Sequence, residues 1–235
     1  MTLKIKALLV IITAVLCFTG LAGQGAAQER AEQRSGSDLK GRNRDLATFA
    51  GGCFWCVEAD FEKVQGVIRV ISGFTGGHKE DPSYAEVSAG VTGHLESVEV
   101  VYDPERVSYG ELLDFFWRHI DPTDPGGQFV DRGAQYRSAI FYHNETQKRL
   151  AEESRRRLRE SGHFSKPIVT EILPAGRFYV AELYHQDYYK THSLKYSYYR
   201  WRSGRDQFLE KVWGKERDGT RKARSEEHTS ELQSH

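Results

Sequence analysis

The sequence predicts an α+β fold in which helices pack on a mixed or antiparallel sheet. Predicted strands and helices alternate irregularly along the chain, and no internal repeat is visible. Residues 96–101 alternate polar and apolar side chains, a pattern typical of a strand with two unlike faces. With 235 residues, 39% of them hydrophobic, the chain can build one substantial core.

The chain is organised around a predicted strand, turn and helix that carry two glycines and a cysteine. Residues 46–50 form the buried strand, and Gly51 and Gly52 then allow a tight turn and close approach of backbone to a ligand. Apolar and charged residues from position 54 onward follow helical spacing, so Cys53 is expected at the start of a helix. There the helix dipole and unpaired N–H groups favour the thiolate, which is the nucleophilic form of cysteine. A buried thiol that packs as a small hydrophobe is the alternative interpretation.

The other elements follow from local patterns. β-Branched and alternating runs predict strands at 67–72, 96–101, 138–142 and 168–173. Ser108 and Glu111 have capping-box spacing and open a helix, and Asn144 caps a charged helix that runs to position 161. Segments rich in glycine and proline predict loops at 73–82 and 121–127.

The charge balance argues against two kinds of partner. Basic and acidic residues number 33 each, so the formal net charge is zero and no global field favours nucleic acid or an anionic membrane. The basic run at 155–159 is interleaved with glutamates, as on a solvated helix face. We therefore expect no nucleic-acid partner.

The two ends of the chain are distinct from the predicted domain. Residues 1–27 have the positive start, apolar run and small-residue cleavage site of a signal peptide, with a retained membrane anchor as the alternative. We expect a disordered linker at 28–44, the folded domain at 45–214 and a tail at 215–235. Residues 224–235 look like the in-frame translation of a sequencing adapter and are excluded from the fold. A cleaved signal predicts a periplasmic or secreted protein with no stable membrane span.

Several motifs, in the same order, resemble the peptide methionine sulfoxide reductase A family. One such motif is weak evidence, but several in register over about Leu46 to Gly214 are specific. They are Gly-Cys-Phe-Trp-Cys-Val-Glu at 52–58 and the segments 73–78, 82–87, 92–96, 131–138 and 181–188. The resemblance implies a two-layer α/β plait with long irregular connections. It also implies an enzyme that reduces methionine-S-sulfoxide, free or in proteins, and so repairs oxidative damage.

The resemblance implies a role for each site residue. A sulfoxide is reduced when a soft nucleophile attacks sulfur while the departing oxygen gains a proton. Cys53 matches the family's nucleophile, and Glu96 matches its acid, a carboxyl group whose pKa is raised by burial. Tyr84 and Tyr136 match phenols that hydrogen-bond the sulfoxide oxygen, and Asp131 matches a polar partner near the substrate.

The expected substrate pocket has an aromatic wall. Phe54 and Trp55 match the family residues that receive the substrate methyl group. Most of the assigned residues also have a purely structural interpretation. Glu96 fits an exposed strand residue, Tyr84 and Tyr136 fit core aromatics with satisfied hydroxyls, and Asp131 fits a turn former before Gly133.

Recycling of the oxidised cysteine is where the chain departs from several members of the family, which carry resolving cysteines near the C-terminus. Ser203 stands where some of them place one. Cys56 lies three residues after Cys53, on the same side of the first helical turn, and is the predicted resolving cysteine. A thioredoxin-like donor would then be the final reductant. Alternatively, Cys56 fills the core and an external thiol reduces the sulfenic acid directly.

Two rival functions come from other classes. A thioredoxin-like disulfide oxidoreductase explains the two cysteines but leaves Glu96, Tyr84 and Tyr136 without a role. A non-catalytic binder of methionine-rich or aromatic surfaces would use Phe54 and Trp55 only. Turnover that requires a sulfoxide separates the reductase from both.

No metal or cofactor is expected beyond the external thiol. His94 and His185 lack the neighbours of a zinc site and are assigned structural roles. Supporting contacts are expected from Glu182, Gln186 and Tyr188. We expect the protein to act as a monomer on methionine sulfoxide.

Overall fold

The computed structural model describes residues 43–217. The predicted signal peptide, nearly all of the linker and the adapter-like end lie outside these residues. Within 43–217 no helix has the length and apolar character needed to span a membrane.

The described residues form strands and helices that are numbered here in chain order. The strands are β1 (Asp45–Gly51), β2 (Val67–Thr75), β3 (Leu95–Tyr102), β4 (Gly127–Gln128), β5 (Asp131–Arg132), β6 (Ser138–Tyr142), β7 (Glu171–Pro174) and β8 (Tyr179–Val180). The α-helices are α1 (Phe54–Phe61), α2 (Tyr84–Ser88), α3 (Tyr109–Trp117), α4 (Glu145–Glu160), α5 (Tyr188–Thr191), α6 (Ser193–Arg202) and α7 (Arg205–Trp213). Single 3₁₀ turns lie at Ala134–Tyr136, Leu183–His185 and Gly214–Glu216.

Six strands form one mixed sheet in the order β7-β6-β1-β3-β2-β8. Its neighbouring strands are antiparallel, except that β6 and β7 run parallel. Strands β4 and β5 form a separate short hairpin. The α+β prediction with a mixed sheet is therefore confirmed.

The main core lies between one face of the sheet and the helices. Phe49, Val98 and Ile140, from three adjacent strands, point into it. The ring of Phe49 stacks on Phe61 of α1 and Phe116 of α3, with centroids 5.0 and 4.9 Å apart. These contacts hold α1, and with it the turn at its start, against the sheet.

The opposite face of the sheet is covered as well. A smaller apolar cluster there contains Ala50, Leu95, Ala139 and Phe141. Every residue of β3 is buried, because this strand is central and both of its faces are packed. The alternation at 96–101 therefore does not mark a solvent-exposed face, and an exposed Glu96 is excluded.

Local capping signals placed two helices correctly. Ser108 accepts the N–H of Glu111 at 3.2 Å, and the Glu111 carboxylate accepts the N–H of Ser108 at 2.8 Å. The Asn144 side chain accepts the N–H of Gln147 at 2.9 Å. The loop predicted from residue 73 was wrong at its start, because β2 extends to Thr75 where it pairs with Leu95.

Candidate active site

Cys53 occupies the N-cap position of α1, directly after the tight turn. Gly52 adopts φ +83°, a conformation that L side chains rarely adopt, and a Cβ there would lie 2.5 Å from Cβ of Gln128. The turn places the sulfur at the junction between sheet and helix, where only 6% of Cys53 is exposed. The predicted position at a helix start is confirmed.

The Cys53 side chain opens into a cavity of about 140 Å³. Pockets for drug-sized ligands measure roughly 300–1,000 Å³, so this one fits a small group such as the end of a side chain. Its lining residues are Cys53, Phe54, Trp55, Tyr84, Glu96, Asp131, Tyr136 and Tyr199. The structure thus brings together seven residues selected from the sequence and adds Tyr199.

Glu96 projects from the central strand and is 2% exposed. Its carboxyl accepts the first backbone N–H of α1, that of Phe54, at 3.0 Å. Burial raises the pKa of Glu96 to about 8, with Asp131 contributing to the rise and the bond from Phe54 opposing it. At neutral pH this carboxyl is mainly protonated, so it can donate a proton.

The resting form of Cys53 differs from the expectation. Burial raises the pKa of the Cys53 thiol well above its usual value. The neighbouring Cys56 raises it further, as do the carboxyls of Glu96 and Asp131. A thiolate favoured by the helix start was therefore a wrong prediction, because the first N–H of α1 is bonded to Glu96 and the sulfur is desolvated. The raised pKa keeps Cys53 as a neutral thiol.

Cys56 lies one turn into α1 and is fully buried. Neither cysteine is in a disulfide. The thiol of Cys53 lowers the pKa of Cys56, while burial opposes the change. Two arginines, Arg205 and then Arg200, lower this pKa further.

Two phenols face Cys53 across the cavity. Tyr84 begins α2, and its backbone N–H donates to the Glu182 carboxylate at 3.0 Å. Burial, with Glu96 and Cys53 nearby, raises the pKa of Tyr84 to about 12. Burial likewise raises the pKa of Tyr136 above its usual value. Both hydroxyls keep their protons over the working range and can donate hydrogen bonds to a bound group.

Asp131 is held by a residue that sequence reasoning missed. The Tyr199 hydroxyl donates to the Asp131 carboxylate at 2.5 Å, across 68 positions of sequence. Burial raises the pKa of Asp131 above its usual value, and the bond from Tyr199 and the charge of Arg205 oppose this. Asp131 starts the second strand of a hairpin whose Phe129 packs edge-on against Phe208 of α7. The C-terminal helices therefore complete the pocket.

The aromatic wall is fixed from behind. Trp55 donates its indole N–H to Nδ1 of His185 at 3.1 Å and stacks on Tyr188 with ring centroids 3.8 Å apart. Burial lowers the pKa of His185 to about 4, so the ring is neutral and Nδ1 is free to accept. Phe54 lies 6.2 Å from the ring of Tyr84. His185 thus orients the indole, in keeping with the structural role predicted for it.

The other charged residues of the motifs have structural partners. Arg132 pairs with Asp124 at 2.5 Å, and Arg137 with Glu171 at 3.1 Å. His94 accepts the N–H of Gly77 on Nδ1 at 3.0 Å. The contact of His94 agrees with the structural role predicted for it.

One group of acidic residues in the described part of the chain has the spacing of cation ligands. Oxygens of Glu58, Glu62 and Asp187 lie within 4.8 Å of one another. The Lys190 ammonium lies 2.6 Å from oxygens of both Glu62 and Asp187, so a cation already occupies the position that would suit a metal. The group contributes to packing of α5 on α1.

A wider groove of about 470 Å³ lies elsewhere, along α6 and α7. Its charged residues are largely paired with one another, as in the bonds from Arg200 and Arg217 to Asp206. It contains neither cysteine. The Cys53 thiol, the two carboxyls and the phenols described above line the smaller cavity instead.

Comparison with known proteins gives this site a context. The family model described as peptide methionine sulfoxide reductase matches residues 45–217, which include every residue of the cavity. The chain belongs to this family. A peptide methionine sulfoxide reductase MsrA from Bacillus licheniformis is 55% identical over 175 residues, which are 74% of this chain and 97% of that protein.

Solved structures of reductases share the fold. Methionine sulfoxide reductase A of Corynebacterium diphtheriae superimposes with a TM-score of 0.59 and 36% identity, over 66% of this chain and 77% of that one. Mxr1 from Saccharomyces cerevisiae in reduced form gives a TM-score of 0.61 and 33% identity, over 64% of this chain and 87% of that one. The sequence resemblance to the reductase family is confirmed, and so is the fold class.

Proposed function

We propose that this reductase converts methionine sulfoxide to methionine with Cys53 as nucleophile and Glu96 as proton donor. Membership of the family makes the chain an oxidoreductase of this type. The residue assignments rest on one observation, the convergence of a thiol, a neutral carboxyl and two phenols on a cavity of side-chain size.

The first step transfers oxygen from the substrate to the enzyme. Sγ of Cys53 attacks the sulfoxide sulfur, and the oxygen ends on the cysteine as a sulfenic acid while the sulfide leaves. Glu96 gives a proton to the oxygen, and the thiol proton of Cys53 restores the carboxyl. The substrate sulfur is reduced by two electrons, and the cysteine sulfur is oxidised by two.

The pocket orients the substrate for this attack. The hydroxyls of Tyr84 and Tyr136 donate to the sulfoxide oxygen, where negative charge builds in the transition state. Phe54 and Trp55 receive the methyl group on the opposite side. Family membership supports the S epimer at sulfur, in free or protein-bound methionine.

The second step regenerates the thiol. Cys56 attacks the Cys53 sulfenic acid to give a disulfide and water, and a thioredoxin-like dithiol then reduces that disulfide. This assignment is supported by the position of Cys56 in the first turn of α1, three residues after Cys53, and by the lowered pKa of Cys56. Direct reduction by an external thiol is the competing route.

The site of action follows from the N-terminal segment. The signal-like pattern of residues 1–27 supports export to the periplasm or secretion. Beyond those residues Cys53 and Cys56 are the chain's two cysteines, which suits a redox pair in an oxidising compartment.

Dithiol consumption with a methyl sulfoxide tests the assignment of Cys53. We expect turnover with the sulfoxide and none with a protein disulfide alone, and complete loss in Cys53→Ser, because a hydroxyl is a far weaker nucleophile than sulfur. A folded Cys53→Ser variant that kept wild-type turnover would refute the nucleophile.

Cys56→Ser provides the matched control for recycling. It should form one equivalent of methionine at the normal rate, accumulate sulfenic acid and lose cycling driven by thioredoxin, while excess small thiol restores part of it. Persistent sulfenic acid and two unlinked sulfurs in oxidised wild type, by mass spectrometry, would make Cys56 a packing residue.

A further inference from the structure

Arg205 is a buried cation without a carboxylate partner. It is 1% exposed, and within residues 43–217 no carboxylate oxygen lies within salt-bridge distance of it. Its guanidinium donates to the backbone carbonyls of Gly51 at 2.8 Å and His119 at 2.7 Å, and it lies over the ring of Phe129. Its Nε has no hydrogen-bond partner. A charge buried in this way is unfavourable unless negative charge lies nearby.

The position of Arg205 indicates which negatively charged groups it can stabilise. The carbonyl of Gly51 belongs to the turn that leads directly into Cys53, so the guanidinium lies under the start of α1. Its electrostatic effect favours the charged forms of Cys56 and Asp131. Asp131 already has the Tyr199 hydroxyl as a partner, whereas Cys56 is fully buried and depends on Cys53 and the two arginines to hold a negative charge.

The neighbouring Arg200 makes a useful contrast. It is 8% exposed and donates to Asp60 at 2.9 Å and to Asp206 at 2.8 Å, so two carboxylates neutralise its charge. It reaches the backbone carbonyl of Cys56 at 3.5 Å. Arg200 is therefore an anchor for α6, while the charge of Arg205 remains available.

We propose that Arg205 is the counter-ion of the Cys56 thiolate and acts as a positioning residue for the recycling step. The proposal rests on the function proposed above, in which Cys56 resolves the Cys53 sulfenic acid. It adds a residue from α7, far from both cysteines in sequence, to the machinery of that step.

The chemical step can be written in full. The Cys56 thiolate attacks Sγ of Cys53, the S–S bond forms and the S–O bond breaks. The oxygen leaves with its hydrogen and takes one proton from Glu96, so that water is released. The proton that Cys56 lost to become a thiolate replaces the one that Glu96 gave. Oxidation is complete within the pair, and no further oxidant is needed.

Several charged or titratable groups interact electrostatically with Cys56 and affect its pKa. They are Cys53 and Asp60 on α1, Glu96 on β3, Tyr196, Tyr199 and Arg200 on α6, and Arg205 on α7. Asp60 is paired with Arg200, and the two phenols are neutral. Arg205 is the cation in this group that has no salt-bridge partner within residues 43–217, and its charge acts on Asp131 as well as on Cys56.

The test compares Arg205→Met with Arg205→Lys in the full chain. Methyl sulfoxide is added in one equivalent without reductant, methionine is measured by rapid quench, and sulfenic acid is trapped with dimedone while disulfide is followed by mass spectrometry. The series is run from pH 5 to pH 9. Arg132→Gln, which removes an exposed arginine that pairs with Asp124, serves as the control for loss of a positive charge.

We expect Arg132→Gln to form methionine at close to the wild-type rate, and disulfide formation in each variant is measured relative to its own methionine formation. Disulfide formation should be roughly tenfold slower in Arg205→Met at pH 7, with its pH midpoint moved upward by about one unit, because each pKa unit changes the thiolate fraction tenfold. Arg205→Lys should recover most of the rate, and Arg132→Gln should match wild type. Equal rates and equal midpoints in wild type and a folded Arg205→Met would overturn the proposal.

Two further results keep the test decisive if Arg205→Met does not fold. In wild type the midpoint for disulfide formation should lie below the value of about 8.5 for an ordinary thiol. A midpoint at or above that value would also overturn the counter-ion role. Wild type that makes methionine but never a disulfide would refute the recycling role of Cys56, and Arg205 with it, while leaving Cys53 and Glu96 intact.

Discussion

Replacing Glu96 by glutamine should lower the activity of the protein and, above pH 5, raise its unfolding free energy relative to wild type. The amide keeps the shape of the side chain and can still accept the N–H of Phe54, but it cannot transfer a proton. Loss of a general acid typically lowers a rate by about a hundredfold or more. We expect that loss in the formation of sulfenic acid by Glu96→Gln at pH 7.

The pH dependence of wild type follows from the same group. With a pKa of about 8, Glu96 is about nine tenths protonated at pH 7 and about one tenth at pH 9. The rate of sulfenic acid formation should therefore fall by roughly an order of magnitude between these values. The small residual rate of Glu96→Gln should lack this fall.

The stability effect has the opposite sign. The folded-state pKa of Glu96 is raised above its usual 4.5, so the stabilisation that the neutral carboxyl gives is fully present below pH 4.5. It declines by about 1.4 kcal/mol per pH unit as the pH rises, and by about 5 kcal/mol in all once the pH passes 8. Glutamine has no such decline, so the variant should gain in unfolding free energy relative to wild type from pH 5 to pH 8.

Denaturant unfolding at several pH values, together with rapid-quench measurement of methionine, tests both effects. Glu99→Gln is the control for activity, since Glu99 lies on the same strand and is 3% exposed but does not line the cavity. An unchanged single-turnover rate in Glu96→Gln would remove Glu96 from the chemical step. Parallel stability curves for wild type and variant would show that Glu96 is ionised in the folded protein.

Two further predictions concern the phenols and the turn. Tyr84→Phe and Tyr136→Phe should each lower the single-turnover rate more than substrate affinity, and the double variant should lose more than either, because both hydroxyls act on developing charge. Single variants that match wild type in rapid-quench assays would make them core aromatics. Gly52→Ala should destabilise the fold by roughly 1–3 kcal/mol in denaturant unfolding, since φ is +83° and Gln128 lies 2.5 Å from the added carbon. Gly176→Ala, which meets nothing within 4 Å, should change little, and equal losses in both variants would contradict the argument.

The sequence was most informative where the signals were local. The glycine turn and the caps at Ser108 and Asn144 act within a few residues, so β1, α1, α3 and α4 could be placed from composition and spacing. Tyr84, Glu96, Asp131 and Tyr136 lie outside these elements and were found because motif order supplied what spacing could not.

The contacts of the C-terminal helices α6 and α7 could not be predicted from local sequence patterns. In α6 the apolar residues Leu194, Tyr198 and Trp201 are 62–87% exposed, while Arg200 is buried, which reverses the usual amphipathic pattern. Tyr199 therefore gave no sign that it would reach Asp131, and Arg205 gave none that it would lie beneath Cys53. The protonation of Cys53 was missed for a related reason. Its main cause is burial of the sulfur, to which Cys56 and carboxyls 43 and 78 residues away contribute, and only the fold produces that burial and brings those carboxyls close.

The neutral resting thiol has a consequence for survival of the enzyme under the conditions in which it is needed. Peroxides and electrophiles react with thiolates, and a cysteine exposed as a thiolate would be carried beyond sulfenic acid to the sulfinic and sulfonic acids. Because the pKa of Cys53 is raised and only 6% of the residue is exposed, it presents little thiolate to oxidants in solution. In the mechanism proposed above, Cys53 becomes reactive when a sulfoxide fills the cavity and Glu96 can transfer its proton, so that damage to the substrate triggers the chemistry that repairs it.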